Sequence, residues 1–318
     1  MTLPDHIVLE MAATLESFDE GAYLSANPDV AEAVRAGLWA SGREHFMAYG
    51  SGEARELRFS RDIEALRIVK MARVEPLLRL DLPHRRSGHK YDFLTEDLRV
   101  DTGIADTENV SGHHYDSIVI SLISEFRDGL ILDCGAGRRP TYYKNVMNYE
   151  IVDYDTTDVI GVGEILPFKD ESFDGVISIA VLEHVRDPFR CASEIIRVLK
   201  PGGKLVCAVP FLQPIHAYPH HYYNMTYMGA RALFERSLII DDLPIIDACL
   251  PIHSLTWIVQ SWAAGLSGDA LESFLNLPLR ELLRPASELT ESDWVKQLPC
   301  EKNLELAHGT MLLAHKPR

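Results

Sequence analysis

Apolar positions in this chain follow two periods. From residue 130 onward, short apolar runs recur at 130–133, 149–153, 159–162, 175–179 and 204–209, bounded by glycine, proline or acidic residues. Runs of this length between turn-forming residues predict buried strands of a parallel sheet. The intervening period is helical. Phe189, Ala192, Ile195, Ile196 and Leu199 fall on one face of a predicted helix. Asp187 is its expected cap, with Pro188 at the first position. A further helix over 117–126 leads into the first strand, with Asp116 as a cap candidate. Strands alternating with helices predict an α/β fold.

Upstream, residues 1–58 read as a small helical module. Asn27, Pro28 and Asp29 start a helix that Gly37 stops, and another runs over 41–50. Phe18, Tyr23, Leu24, Val30, Val34, Trp39 and Phe46 supply a mini-core too small to stand alone, so the module is expected to dock on the main domain or a partner. Residues 59–112 form a helical and irregular linker, with a helix over 61–80 capped by Ser60 and kinked or ended at Pro76. The main domain is expected over 113–318. Within it, 211–300 reads as a strand plus helical inserts shaping an acceptor pocket, and Thr226 caps a helix through 236.

The chemistry centres on 130–140, LILDCGAGRRP. A strand ending in Asp133 meets Gly135, Ala136 and Gly137, where backbone without Cβ atoms turns tightly and lets a ligand approach. Parallel sheets build nucleotide pockets at such strand ends. A dinucleotide fingerprint needs a third glycine where Pro140 stands, which disfavours an NAD-dependent oxidoreductase. An acid at the end of the second strand can accept from both ribose hydroxyls. Asp153 is the first choice and Asp155 the second, and either can instead be a turn residue.

Further motifs follow in order: LPF at 166–168, FD at 173–174, VLEHV at 181–185 and LKPGG at 199–203. With the glycine loop, this series resembles class I S-adenosylmethionine (SAM)-dependent methyltransferases of the type 11 group, over 133–210. The resemblance implies a Rossmann-like, mostly parallel sheet whose last strand, from 303–316, is antiparallel. It implies SAM as cofactor and S-adenosylhomocysteine as product. It places Asp133, Gly135, Ala136, Gly137, Asp153 or Asp155, Gly163, Glu164, Ile179, Ala180 and His184 around the cofactor. His114 and Tyr115, in the segment that folds over the pocket in this family, join them as candidates.

The sequence departs from the family at three points. Arg139 stands where the motif often carries a third glycine, and Val162 where an acid commonly precedes LPF. Only 154–158 separate the second and third strands, too few for a parallel crossover helix, so N-terminal helices or a partner are expected to cover the sheet there.

Methyl transfer to a hydroxyl is helped by a base that titrates near neutrality, which suits histidine. His216, His220 and His221, in the run FLQPIHAYPHHYYNMT, are therefore the catalytic candidates, against a reading in which they only bond locally. His216 and His220 have the spacing of metal ligands on a helix, but Pro219 opposes that helix, and no metal is expected.

Composition narrows the partners. The net charge is −16, poorly suited to phosphate backbones, so no nucleic-acid partner is expected. Five cysteines without a C-x-x-C spacing suit free thiols in a reducing cytoplasm. The start has no signal-peptide pattern, and no apolar run is long enough for a membrane span. The expectation is a bacterial cytoplasmic SAM-dependent methyltransferase acting on a small molecule, with a sugar or glycan hydroxyl suggested by resemblance of 1–58 to a module beside bacterial polysaccharide-related transferases. The module also offers a surface for a homo-oligomer or protein partner. The alternative is a non-catalytic SAM-fold scaffold of a glycan-related transferase assembly.

Overall fold

The computed structural model describes residues 3–105, 112–216, 220–314 and 316. They divide into two units, Met1–Ala208 and Val209–Arg318. The expected boundaries at 58 and 112 thus fall inside the first unit, and the main division comes at 208.

In the first unit, strands β1 (His6–Val8) and β2 (Glu10–Ala12) precede helices α1 (Glu20–Ala26), α2 (Pro28–Arg35) and α3 (Gly42–His45), the last continuing as a π-turn over Phe46–Gly50. Strand β3 (Glu56–Arg58) pairs antiparallel with β2. The mini-core forms as expected around Tyr23, Val30 and Phe46, joined by Ala22 and Leu57. Trp39 instead packs edge-on against His45 and Tyr49. Helix α4 (Glu64–Val74) starts later than the Ser60 cap predicted, and its axis gives way to a 3₁₀ turn at Glu75–Leu77, where Pro76 lacks the amide hydrogen an α-helix needs.

The central sheet contains β4 (Arg85–Ser87), β5 (Lys90–Asp92), β6 (Ile131–Cys134), β8 (Val146–Glu150), β9 (Val159–Ile160), β10 (Phe173–Ile179) and β11 (Leu199–Ala208), and the same stretch of chain holds α5 (Glu96–Thr102), α6 (Ser117–Glu125), β7 (Thr141–Tyr143) and α7 (Pro188–Val198). The spatial order is β11-β10-β6-β8-β9-β5-β4. Every pairing is parallel except β4 with β5. This is a seven-stranded, mostly parallel, Rossmann-like sheet.

The antiparallel strand comes from an unexpected place. It is β4, upstream of the first central strand, in a hairpin whose Gly88 takes φ 60°. Residues 303–316 do not supply it. Asn303 lies in a helix, Cys300–Glu305, with its amide donating to Leu298 O at 2.8 Å, and among the described residues beyond it none is in a strand.

Two crossovers on the β8 side lack helices. Residues 135–145 join β6 to β8 through β7, which pairs antiparallel with β1, and residues 151–158 join β8 to β9 without any helix. N-terminal elements cover the gap, as the short second crossover led us to expect. Leu9, Ile63, Leu66 and Tyr142 form a buried cluster. Beneath them, Asp158 is fully buried and accepts from Lys70 Nζ at 2.7 Å, Arg67 Nε at 3.3 Å, the Asn148 amide at 3.0 Å and the Tyr142 hydroxyl. The other face is filled by α6, whose Val119, Leu122 and Ile123 pack with Ile131, Val146 and Ile177.

The second unit is helical. Helices Pro251–Ala264, Gly268–Leu275 and Asp293–Lys296 surround Leu266, Ala270, Phe274, Trp294 and Leu298. The strand expected within 211–300 is not found among its described residues. Thr226 caps the helix Tyr227–Phe234 through the Gly229 amide, as predicted. No helix of the described residues is long and apolar enough to cross a membrane.

Candidate functional site

The glycine loop leaves β6 at the centre of the sheet. Gly135 and Gly137 have φ 82° and 63°. A Cβ on Gly135 would come within 2.4 Å of Val181 Cγ2, so the loop lies directly against the segment that leaves β10. We expect Gly135→Ala to destabilise the first unit by about 1–3 kcal/mol, from the strained φ and the contact together, measured as a lower midpoint of thermal unfolding.

Asp133 is fully buried and is the hub of the loop. Its Oδ2 accepts from Arg139 Nε at 2.7 Å and from the Tyr115 hydroxyl. The Arg139 guanidinium lies over the Tyr115 ring at 4.3 Å and donates to His113 O at 3.1 Å. Burial opposes the charge on Arg139, but Asp133 outweighs it and keeps the guanidinium strongly basic. Burial and Arg139 push the His113 imidazole down to about 4. Tyr115 is therefore brought to the loop, and Asp116 caps α6 through the Val119 amide at 2.9 Å. His114 points elsewhere, to Glu56 of β3 at 2.6 Å.

The acid at the end of the second strand is Glu150. The predicted strand 149–153 is shifted to Val146–Glu150, because Tyr149 O already receives the Gly135 and Ala136 amides at the ladder's end and the chain then bends away. Glu150 Oε2 accepts from the Gly137 amide at 2.7 Å and Oε1 from the Ile151 amide at 2.8 Å. Burial raises its carboxyl, with these amides working against the rise. Asp153 lies three residues past the strand on an exposed stretch, paired with Lys90. Asp155 is held by both oxygens on Arg58 Nη2 at 2.7 and 2.8 Å. Neither is the strand-end acid. Glu150 was legible as the last residue of YE before the bend, but the apolar Ile151 and Val152 drew the strand onward.

After β9, Gly163 sits against α7, where a Cβ would meet Cys191 Sγ at 2.6 Å. Glu164 is buried, accepts from the Arg186 amide at 3.2 Å, and is raised by burial. Ile179 ends β10, and Ala180 follows at φ 54°, a left-handed conformation rare outside glycine. His184 Nε2 stands 3.7 Å from Glu183 Oε1.

The catalytic candidates lie in the second unit, where the structure brings His216 and His221 together. The His216 amide donates to His221 Nδ1 at 3.2 Å, and the rings are 4.3 Å apart. His221 Nε2 therefore carries the hydrogen and faces Tyr223 O at 3.2 Å and Asn224 Oδ1 at 3.0 Å. Both nitrogens thus serve loop bonds, and burial beside His216 lowers its basicity. His220 packs against the Tyr222 ring. Residues 217–219 of this run, with Pro219, lie outside the described residues.

Six buried side-chain polar atoms lack a hydrogen-bond partner among the described residues: His113 Nε2, Asp133 Oδ1, Arg139 Nη2, Ser178 Oγ and both oxygens of Glu183. Native interiors rarely leave such atoms unmet. These gather around the carboxyl ends of adjacent strands β6 and β10, where open parallel sheets bind ligands.

Residues 133–207 match the model of the methyltransferase domain family. Among curated relatives, the bifunctional biotin-biosynthesis protein BioHC of Teredinibacter turnerae is 31% identical over 117 residues, 36% of this chain and 17% of that protein. A demethylmenaquinone methyltransferase of Renibacterium salmoninarum is 44% identical over 54 residues, 17% of this chain and 23% of that protein. This chain thus spans a quarter or less of their lengths. Among solved structures, a putative methyltransferase from Anabaena variabilis is 16% identical, with 59% of this chain and 90% of that one covered at a TM-score of 0.30. The segment 133–207, which carries the glycine loop, the strand-end acid and β10, is thus similar to a methyltransferase domain.

Proposed function

We propose that the chain is a SAM-dependent methyltransferase acting on a small-molecule acceptor, with a sugar or glycan hydroxyl as one candidate. The observation that carries this is the set of unmet buried polar atoms on Asp133, Arg139, Ser178 and Glu183, all within the segment that matches the methyltransferase domain. The residues present fit the cofactor. Gly135, Ala136 and Gly137 give close backbone approach. Glu150 takes the ribose role earlier assigned to Asp153, and Gly163 and Glu164 border the adenine side. Asp133 Oδ1 and Arg139 Nη2, an acceptor and a donor without partners, suit an aminocarboxyl group. SAM supplies an electrophilic methyl group on a sulfonium. The protein's part is to align the acceptor and exclude water.

Calorimetric titration with SAM and S-adenosylhomocysteine tests this reading. Wild type is expected to bind both. Glu150→Gln places an amide donor against the Gly137 or Ile151 amide and is expected to weaken both at least about tenfold. Asp153→Ala is expected to stay within about twofold of wild type. Loss in Asp153→Ala alone would return the ribose role to Asp153.

A second reading, a non-catalytic scaffold, is favoured by the fact that the Gly135, Ala136 and Gly137 amides are all bonded within the protein and Arg139 is folded onto Asp133. Failure of a well-folded wild type to bind either ligand selects it.

A further inference from the structure

The exit of β10 combines three features that point to one place. Ala180 is held at φ 54°, its amide bonded to Ala208 O at 3.0 Å, and backbone strain of this kind persists where a neighbouring structure fixes it. Ser178, two residues earlier, is fully buried with its hydroxyl unmet. Glu183, three residues later, is 1% exposed with neither oxygen hydrogen-bonded. A buried carboxyl normally finds donors or is paired with a cation.

The position is specific. Val181 fills the space beside Gly135, so this segment is the wall facing the glycine loop. Ile177 is in register with Asp133, and Ser178 with Cys207 of β11. Burial, with the Glu183 carboxylate adding to it, pushes the Cys207 thiol up to about 12. The only charge-capable group within 4.0 Å of the Glu183 carboxylate among the described residues of this unit is the His184 ring at 3.7 Å.

We infer that Glu183, on the segment that leaves β10 five residues after Ser178, is the polar wall on which the methyl acceptor presents an N–H or O–H, and that its carboxylate takes that hydrogen as a proton during transfer. The inference rests on the methyl-transfer reading. The acceptor lone pair forms the new bond to the methyl carbon, the methyl–sulfur electron pair returns to sulfur, and the acceptor proton passes to a Glu183 oxygen. Burial pushes the Glu183 carboxyl up to about 7, which suits a group that accepts and then releases a proton near neutrality. The acceptor class is a neutral amine or hydroxyl, since a group with no hydrogen to give would leave the carboxyl unmet.

The test needs no acceptor. Sinefungin carries an ammonium-bearing carbon where SAM carries the methyl sulfonium, so its cation occupies the transfer position. We expect full-length wild type to bind sinefungin about tenfold more tightly than S-adenosylhomocysteine in calorimetric titration near pH 8, because the ammonium meets the carboxylate. Glu183→Gln is expected to reduce the ratio to about one while S-adenosylhomocysteine affinity stays within about twofold. Glu183→Asp should retain part of the preference, and it decides the matter if the Gln variant does not fold. An equal preference in wild type and in the variant that folds, or none in wild type, overturns the inference. Failure of wild type to bind either ligand instead overturns the methyl-transfer reading on which it stands.

Discussion

Asp158→Asn is expected to destabilise the first unit by about 3–5 kcal/mol, the cost of breaking a buried ion pair by removing one partner. Asp158 is fully buried and is the acceptor for Lys70, Arg67, Tyr142 and the Asn148 amide together. The substitution leaves the Lys70 ammonium, itself fully buried, without its counter-charge, with the Arg67 guanidinium nearby. Burial already holds Lys70 down to about 8 despite Asp158. Without the carboxylate the amine should lose its proton at still lower pH, so the variant's deficit should shrink as pH rises from 7 toward 9. A loss of this size is a large share of a typical domain's stability. Urea unfolding of wild type, Asp158→Asn, Lys70→Met and the double variant checks it. The double variant should recover most of the loss, since it removes the buried ammonium along with its counter-charge. A deficit below about 1 kcal/mol would mean that the network does not hold N-terminal α4 on the sheet.

The second large effect is a gain. Glu183→Gln is expected to stabilise the protein by about 3 kcal/mol at pH 8 and to change nothing near pH 4. The sign follows from proton counts. A glutamate carboxyl that titrates near 4.5 when unfolded and about 7 when folded holds its proton more tightly in the folded state. Between those values the folded state binds more protons than the unfolded one, so wild-type stability falls as pH rises through the window. Glutamine carries no such proton and removes that slope. His113, pushed down to about 4, acts in the opposite direction over an overlapping range, because there the unfolded state binds the extra proton. The difference between variant and wild type at each pH cancels it. Thermal unfolding at pH 4, 6 and 8 is the measurement. An equal or lower stability of the variant at pH 8 would show that Glu183 has a stabilising partner and is not a vacant polar wall. A gain of this kind is what the proposed role of Glu183 in a ligand site entails, since functional sites commonly cost stability.

The two predictions share a cause in the way the sheet is covered. A parallel sheet buries both faces, and most of that cover usually comes from crossover helices. Here β6 to β8 and β8 to β9 cross without helices, and β1, α4 and the Tyr142 strand β7 lie in their place. Residues 1–58 accordingly contact the loop itself. Leu9 and Glu10 amides donate to Pro140 O at 2.8 and 3.1 Å, and Arg58 donates to Arg139 O at 3.2 Å while holding Asp155.

Local pattern alone determined three of the central strands and three helix caps. Apolar runs between glycines placed β6, β9 and β10 to within two or three residues. Asp116, Asp187 and Thr226 were readable as caps because a side-chain oxygen three residues before an amide bonds it whatever the rest of the fold does. The glycine loop was readable for the same local reason, positive φ and close approach being properties of the backbone. The short gap at 154–158 even showed that a crossover helix was missing. What local pattern left undetermined were quantities set by distant partners. Whether β8 ends at Glu150 or Asp153 depends on which carbonyl meets Gly135 and Ala136. Whether 303–316 joins the sheet depends on pairing partners distant in sequence, and the antiparallel strand comes instead from the hairpin of β4 and β5 beside β9. Asp158 and Glu183 are both acids after apolar residues. Only the tertiary structure, by folding two cations and a tyrosine onto one and leaving the other buried without a donor, makes the first a structural keystone and the second an unmet carboxyl.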